Sequence, residues 1–247
     1  MLKRIAAVAL LLSLLLNAVL LFALWDAFGK LQTARMFPLG YDPDGQPPAK
    51  AVPTAHSIAF WGDSRAYLWD TRALAGNWAV QNFAHGGQTS AQLLLQLQTT
   101  PKAQSEVSIV QIGINDLHPL GVMVGRQAEI VARLRTNLIE IRNQLLARSD
   151  VVILTTIFPP GPVPLLRRLA WDPNTRAYIA EVNNELRRVA AHDRVVLVDA
   201  YAALDGGSSE LAAGFADTDF FLHLNAAGYA RLNSEVARVL EARRIQP

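Results

Sequence analysis

Apolar residues run along this chain in three rhythms, and each predicts a different element. The first rhythm is continuous. "IAAVALLLSLLLNAVLLFALW", residues 5–25, spans 21 residues without a formal charge, and Ser13 and Asn17 are its polar interruptions. A helix needs roughly 20 such residues to cross a bilayer. A cleaved signal peptide has a shorter apolar core, about 7–15 residues, ending in a small-x-small site. Here the stretch is longer, and "ALWDA" is a weak match to such a site. The expectation is an uncleaved signal anchor over residues 1–25. Lys3 and Arg4 put its N-terminus in the cytoplasm and the remainder outside, and Trp25 suits an interfacial anchor. Cleavage would instead give a secreted protein.

The second rhythm is the short, near-continuous apolar run. "SIAFW" (57–61), "WAVQNFA" (78–84), "EVSIVQIG" (106–113), "DVVILTTIF" (150–158) and "RVVLVDA" (194–200) have the length and β-branched content of buried strands. The third is a spacing of three to four residues. It predicts helices over 89–100, over 125–149 with apolar positions 130, 134, 138, 141 and 145, over 174–192 and over 225–244. Strands and helices alternate five times. Strands apolar on both faces, alternating with helices, predict a doubly wound parallel α/β sheet of about five strands in one domain, residues 56–247. Between anchor and domain, residues 26–55 lack periodicity and include "YDPDGQPPAKAVPTAH", the composition of an extended linker.

Composition narrows the function. The formal net charge is +2, and Lys3 and Arg4 supply that much by themselves, so no electrostatic footprint for nucleic acid is present. The 247 residues contain no cysteine, which excludes a disulfide scaffold, a thiolate metal site and a cysteine nucleophile.

Chemically capable residues gather where such sheets bind ligands, beyond the carboxyl ends of the strands. Gly62-Asp63-Ser64 follows the first strand, "HGGQTS" the second and "GIND" the third, and "DTDFFLHLN" precedes the last helix. Acyl transfer needs a nucleophile, a base and donors for the developing oxyanion. Ser64 opens a helix, whose N-terminal N–H groups favour an anion. Gly87 offers a second backbone N–H with no side chain in the way. Asn115 carries an amide donor, and His223 can take the serine proton.

These residues, in this order, resemble the SGNH subgroup of the GDSL esterase/lipase superfamily. The first block appears as "FWGDSR", the second as "NFAHGGQTS", the third as "IGIND" and the last as "LHLNAAGY". The likeness covers roughly residues 56 to 244. It implies a flavodoxin-like three-layer α/β/α sandwich and a Ser-His-Asp site of Ser64, His223 and an acid. It also implies an oxyanion hole of Ser64 N–H, Gly87 N–H and the Asn115 amide, with no metal or cofactor. The family's acid stands three residues before the histidine, where this chain has Phe220. Asp219, four before, is the expected acid through a one-residue bulge. Asp217 in its place, or a Ser-His dyad held by a backbone carbonyl, are the competing readings.

Other polar residues carry plainer expectations. Asp63 ties the serine turn, Asp116 braces its loop, and Asp199 caps the turn after the fifth strand rather than meeting His223. His85 and His118 lie on loops near the site, and His56 and His192 flank strands at the surface. Arg133, Arg135, Arg142, Arg187 and Arg188 form solvated faces paired with Glu. The proline-rich 158–173 stretch, with Arg167 and Arg168, is expected to wall or lid the site. The expected function is a membrane-anchored extracytoplasmic serine esterase acting on lipid or O-acetylated glycan. The alternatives are an O-acyltransferase of envelope polysaccharide, or a degenerate glycan-binding scaffold.

Overall fold

A computed structural model describes residues 2–36, 56–75, 78–99, 104–121, 123, 125–169, 171–207, 209–218 and 221–245. The chain divides into two units, Met1–Tyr41 and Asp42–Pro247.

The first unit is one helix, α1 (Leu2–Met36). Its segment Lys3–Leu24 has a mean hydropathy of 2.7 and is long and apolar enough to cross a membrane. At 1.5 Å per residue it is about 33 Å long, close to the thickness of a bilayer core. Its apolar side chains are exposed, Leu11 and Leu21 among them. The helix runs past the boundary expected at residue 25 and takes in residues 26–36 of the predicted linker. "AFGKLQTARM" lacks apolar periodicity but is mostly made of good helix formers, so it propagates a helix already nucleated. The rest of the predicted linker, 37–55, lies outside the described residues.

The second unit contains β1 (Ser57–Gly62), α2 (Ser64–Tyr67), α3 (Arg72–Ala75), β2 (Ala79–Asn82), α4 (Ser90–Thr99) and β3 (Ser105–Gln111). It continues with α5 (Ile114–Leu117), α6 (Gln127–Leu146), β4 (Ser149–Thr155), α7 (Thr175–Val189), β5 (Val195–Val198), α8 (Ala200–Leu204) and α9 (Ala226–Ala242). The five strands form one parallel sheet in the order β2-β1-β3-β4-β5. Alternate residues of each strand feed opposite faces. Ala59, Trp61, Val110 and Leu154 pack with Leu93, Leu134, Leu138 and Ile179 of α4, α6 and α7. Ile58, Phe60, Ile109 and Ile153 pack with Leu204, Leu232 and Val236 of α8 and α9. The result is the expected three-layer α/β/α sandwich, and burial on both faces is why the central strands β1, β3 and β4 read as near-continuous apolar runs, while the edge strand β2 is partly exposed.

The helix expected to open at Ser64 is the one-turn α2, whereas α3, α5 and α8 were not foreseen, because one turn is too brief to show a period. Among its described residues, the stretch between β4 and α7 holds a 3-10 turn, Leu165–Leu169. In the strand order, β1 and β3 are neighbours, while β2 lies on the far side of β1. Connections leave β1 and β3 in opposite directions, which opens a crevice at their carboxyl ends.

Candidate active site

The crevice begins where β1 ends. Gly62 has φ +136°, and a Cβ there would lie 1.8 Å from the Gln111 carbonyl oxygen of β3, so only glycine fits. The Asp63 N–H donates to that same carbonyl at 3.1 Å. Asp63 is extended and caps α2, its carboxylate accepting from the Arg65 N–H at 2.9 Å. Ser64 is therefore the first residue of a helical turn. Its N–H and that of Gly87, which has φ +72°, donate to no acceptor among the described residues. Burial raises the Asp63 carboxyl to about 7, against the pull of the Arg65 guanidinium and of its own bond from the Arg65 N–H.

Arg65 is the residue that sequence reasoning missed. It is fully buried, lies 3.7 Å over the Phe158 ring, and donates to two carbonyls at 2.9 Å. One is Phe158 O, just beyond β4. The other is Leu222 O, the residue before His223. Burial lowers its guanidinium to about 10. Tyr229 of α9 donates its hydroxyl to the Arg65 carbonyl at 3.2 Å. The available signal was a charged residue inside the otherwise apolar run that begins at the serine.

His223 completes the pair. Its Nε2 lies 2.8 Å from Ser64 Oγ. The loop carrying it is an irregular hairpin, with Ala216 bridged to Leu224 and the Asp217 N–H donating to the His223 carbonyl at 3.1 Å. Asn225 caps α9 and its amide donates to Gly214 O and Ala216 O. Burial, and then the Arg65 cation, lower the His223 pKa below the ordinary imidazole value, while Asp217 pulls it up. At neutral pH the imidazole is thus neutral and able to accept a proton. Asp219, the expected acid, lies outside the described residues, as does Phe220.

The Gly87 loop and Asn115 reach the same edge. Asn115, in α5, donates one of its two amide hydrogens to Gln88 O at 3.1 Å, which ties α5 to the Gly87 turn. Asp116 braces the arrangement as expected. It accepts from Ser90 N at 2.9 Å and Ser90 Oγ at 2.6 Å, and burial raises its carboxyl to about 6. Asp199 caps α8, accepting from Ala202 N, and pairs with Arg187. His85 contacts the Gln96 amide, and His118 packs edge-on against Trp171. His56 pairs with Glu106, and His192 accepts from Arg194 N. Arg133, Arg135 and Arg188 pair with glutamates, whereas Arg142 donates to Val189 O and Asn143. Among the described residues no group of three or more His, Asp or Glu side chains is placed to hold a metal ion.

These observations define a doubly wound α/β domain that displays a serine–histidine pair at its switch point. The model of the GDSL-like lipase/acylhydrolase family matches residues 54–231, and the chain belongs to that family. No curated protein matches the sequence. Among solved structures, a GDSL-like lipase from Bacteroides thetaiotaomicron is 18% identical with a TM-score of 0.63, covering 76% of this chain and 89% of that one. An acetylxylan esterase from Geobacillus stearothermophilus is 16% identical with a TM-score of 0.58, covering 76% and 95%. That esterase has also been solved as catalytic mutants, one with a serine and one with a histidine replaced by alanine. At these identities the likeness is one of fold.

Proposed function

We propose that the chain is a serine esterase anchored in the cytoplasmic membrane by α1, with its second unit outside the cytoplasm. The observation that carries the chemistry is the 2.8 Å contact between Ser64 Oγ and His223 Nε2 at the start of a helical turn. Ser64 Oγ attacks the ester carbonyl as its proton passes to His223 Nε2. The carbonyl oxygen becomes an oxyanion, received by Ser64 N–H, Gly87 N–H and the second amide hydrogen of Asn115. As this intermediate collapses, His223 hands the proton to the leaving alcohol and an acyl-serine remains. Water, deprotonated by His223, then releases the acid and restores Ser64. The catalytic serine and histidine mutants of the acetylxylan esterase support the same division of labour here.

Asp219 is proposed as the carboxylate that orients the imidazole, which fixes its tautomer and stabilises the imidazolium. Asp217 is the second reading. Its backbone bond across the hairpin and its charge acting on His223 favour it. Anchoring rests on the length and hydropathy of Lys3–Leu24 and on Lys3 and Arg4 ahead of the apolar core.

The test is a series of chromogenic esters of increasing acyl length, run beside O-acetylated glycans on the full-length protein in detergent. Acid release into water is expected. Transfer of the acyl group to added glycan without net release would make the protein an acyltransferase. No turnover of any ester by folded protein would contradict the reading.

A further inference from the structure

We propose that Trp171, Phe221 and His118 form a subsite for the sugar ring of an acylated glycan, on the alcohol side of the scissile ester. The inference rests on the esterase reading above and names its substrate class. The three rings come from three segments that each border the serine–histidine pair. Phe221 lies two residues before His223. His118 lies three after Asn115. Trp171 comes from the stretch after β4. Phe221 and His223 can be at most about 7 Å apart along the chain, so the cluster stands beside the reacting atoms.

Trp171 sits between the other two rings. Its centroid is 5.3 Å from Phe221 at 72° and 5.9 Å from His118 at 63°. In an edge-on pair the rim of one ring meets the face of the other, and the Arg167 guanidinium lies over the Phe221 ring at 5.9 Å, so the surface offered to a ligand is the part of each ring that stays exposed to solvent. All three side chains are half-buried, unlike the sealed aromatic pair Trp61 and Phe83 beneath the sheet. The indole N–H of Trp171 and the ring nitrogens of His118 make no hydrogen bond among the described residues. Burial, then the nearby Arg167 cation, lower the His118 pKa, which keeps a neutral imidazole able to donate and accept.

The platform is rigidly rooted. Gly161 N–H donates to Phe221 O, Leu211 N–H to Pro160 O at 3.1 Å, and Arg65 to the carbonyls of Phe158 and Leu222. On its other flank Trp171 adjoins buried Asp172, which accepts from Asn174 N and whose carbonyl accepts from Thr175. Half-exposed aromatic rings with hydrogen-bonding rims match a pyranose, which has C–H groups on its faces and hydroxyls around its edge. A long acyl chain asks for an aliphatic channel instead. The aliphatic neighbours do not build one, because Leu222 packs into the core and Leu165 is 75% exposed to solvent.

The experiment compares the full-length protein with its Trp171→Ala and Trp171→Phe variants on a mono-O-acetylated methyl pyranoside and on ethyl acetate. The readout is the ratio of the two kcat/KM values. Trp171→Ala is expected to lower that ratio about tenfold, mainly through KM for the pyranoside, and Trp171→Phe to preserve most of it. An unchanged ratio in Trp171→Ala, or wild-type preference for octanoyl over acetyl esters, overturns the subsite while leaving the esterase reading intact. Failure of the wild type on every ester overturns both.

Discussion

The two halves of the serine–histidine pair are held by different physics. Ser64 is positioned by regular structure. It sits at the end of a buried strand, past a glycine that only glycine can fill, at the first position of a capped helical turn. The constraints on its backbone lie within three residues or on the adjoining strand, with Tyr229 of α9 added on the Arg65 carbonyl. His223 is positioned by a loop with one isolated bridge, by the nearby Asn225 cap, and by bonds from distant residues, namely Arg65 through Leu222 O and Gly161 through Phe221 O. Ser64, the proposed nucleophile, is therefore placed chiefly by the sheet. His223, the proposed base, is held by long-range tethers, and Arg65 is the one that joins the two halves.

The largest expected effect tests whether the halves act as one unit. Ser64→Ala and His223→Ala should each lower kcat by about 10⁴-fold or more, and the double variant should be hardly worse. Far-ultraviolet circular dichroism and thermal melting should stay near wild type, because Ser64 Oγ lies in the crevice rather than in the core. Additive losses would mean that the 2.8 Å contact is not the working pair.

Next comes the acid. Asp219→Asn should cost about 10³-fold in kcat and Asp217→Asn less than about tenfold, since an orienting carboxylate sets tautomer and imidazolium stability. The reverse order would move the role to Asp217. Equal and small effects would leave a dyad.

Arg65→Met probes the tether between the halves. It should lower kcat by about 10–100-fold with little change in KM, because a small displacement of a reacting group is costly. It should also destabilise the fold by about 2–4 kcal/mol, as two charge-assisted bonds to buried carbonyls are lost. Arg65→Lys should recover part of the stability and less of the rate, because lysine cannot reproduce the forked donation to two carbonyls.

The smallest effect is in pH dependence. A base must be unprotonated, so kcat/KM should rise with pH through the His223 pKa. Burial and Arg65 place that midpoint below the ordinary imidazole value. Removing the cation in Arg65→Met should move it up, and removing the anion in Asp217→Asn should move it down. Identical profiles in all three proteins would show that neither charge reaches the imidazole.

The same contrast explains what could be read in the sequence. The central strands and the main helices of the sandwich were legible because burial on two faces and on one face leave different periods, and the edge strands β2 and β5 through their β-branched content. Ser64, Gly87, Asn115 and His223 were legible because each stands just beyond a strand or before a helix whose position the pattern marks. The tethers were not. Arg65 meets Phe158 O and Leu222 O, separated from it by 93 and 157 positions, and no local period records such a pairing. The Trp171–Phe221–His118 cluster escaped notice for the same reason. Residues 26–36 were misjudged because their sequence carries no amphipathic period, while a helix already nucleated extends through good helix formers.

Labelling with a fluorophosphonate probe tests the central claim most directly, because the probe reacts only with a serine whose proton a neighbouring base can accept. The full-length protein should be modified at Ser64, with a rate that rises with pH along the same limb as ester hydrolysis. Ser64→Ala should take no label and His223→Ala should label far more slowly. Folded wild-type protein that remains unlabelled, or label found on a residue other than Ser64, would contradict the account.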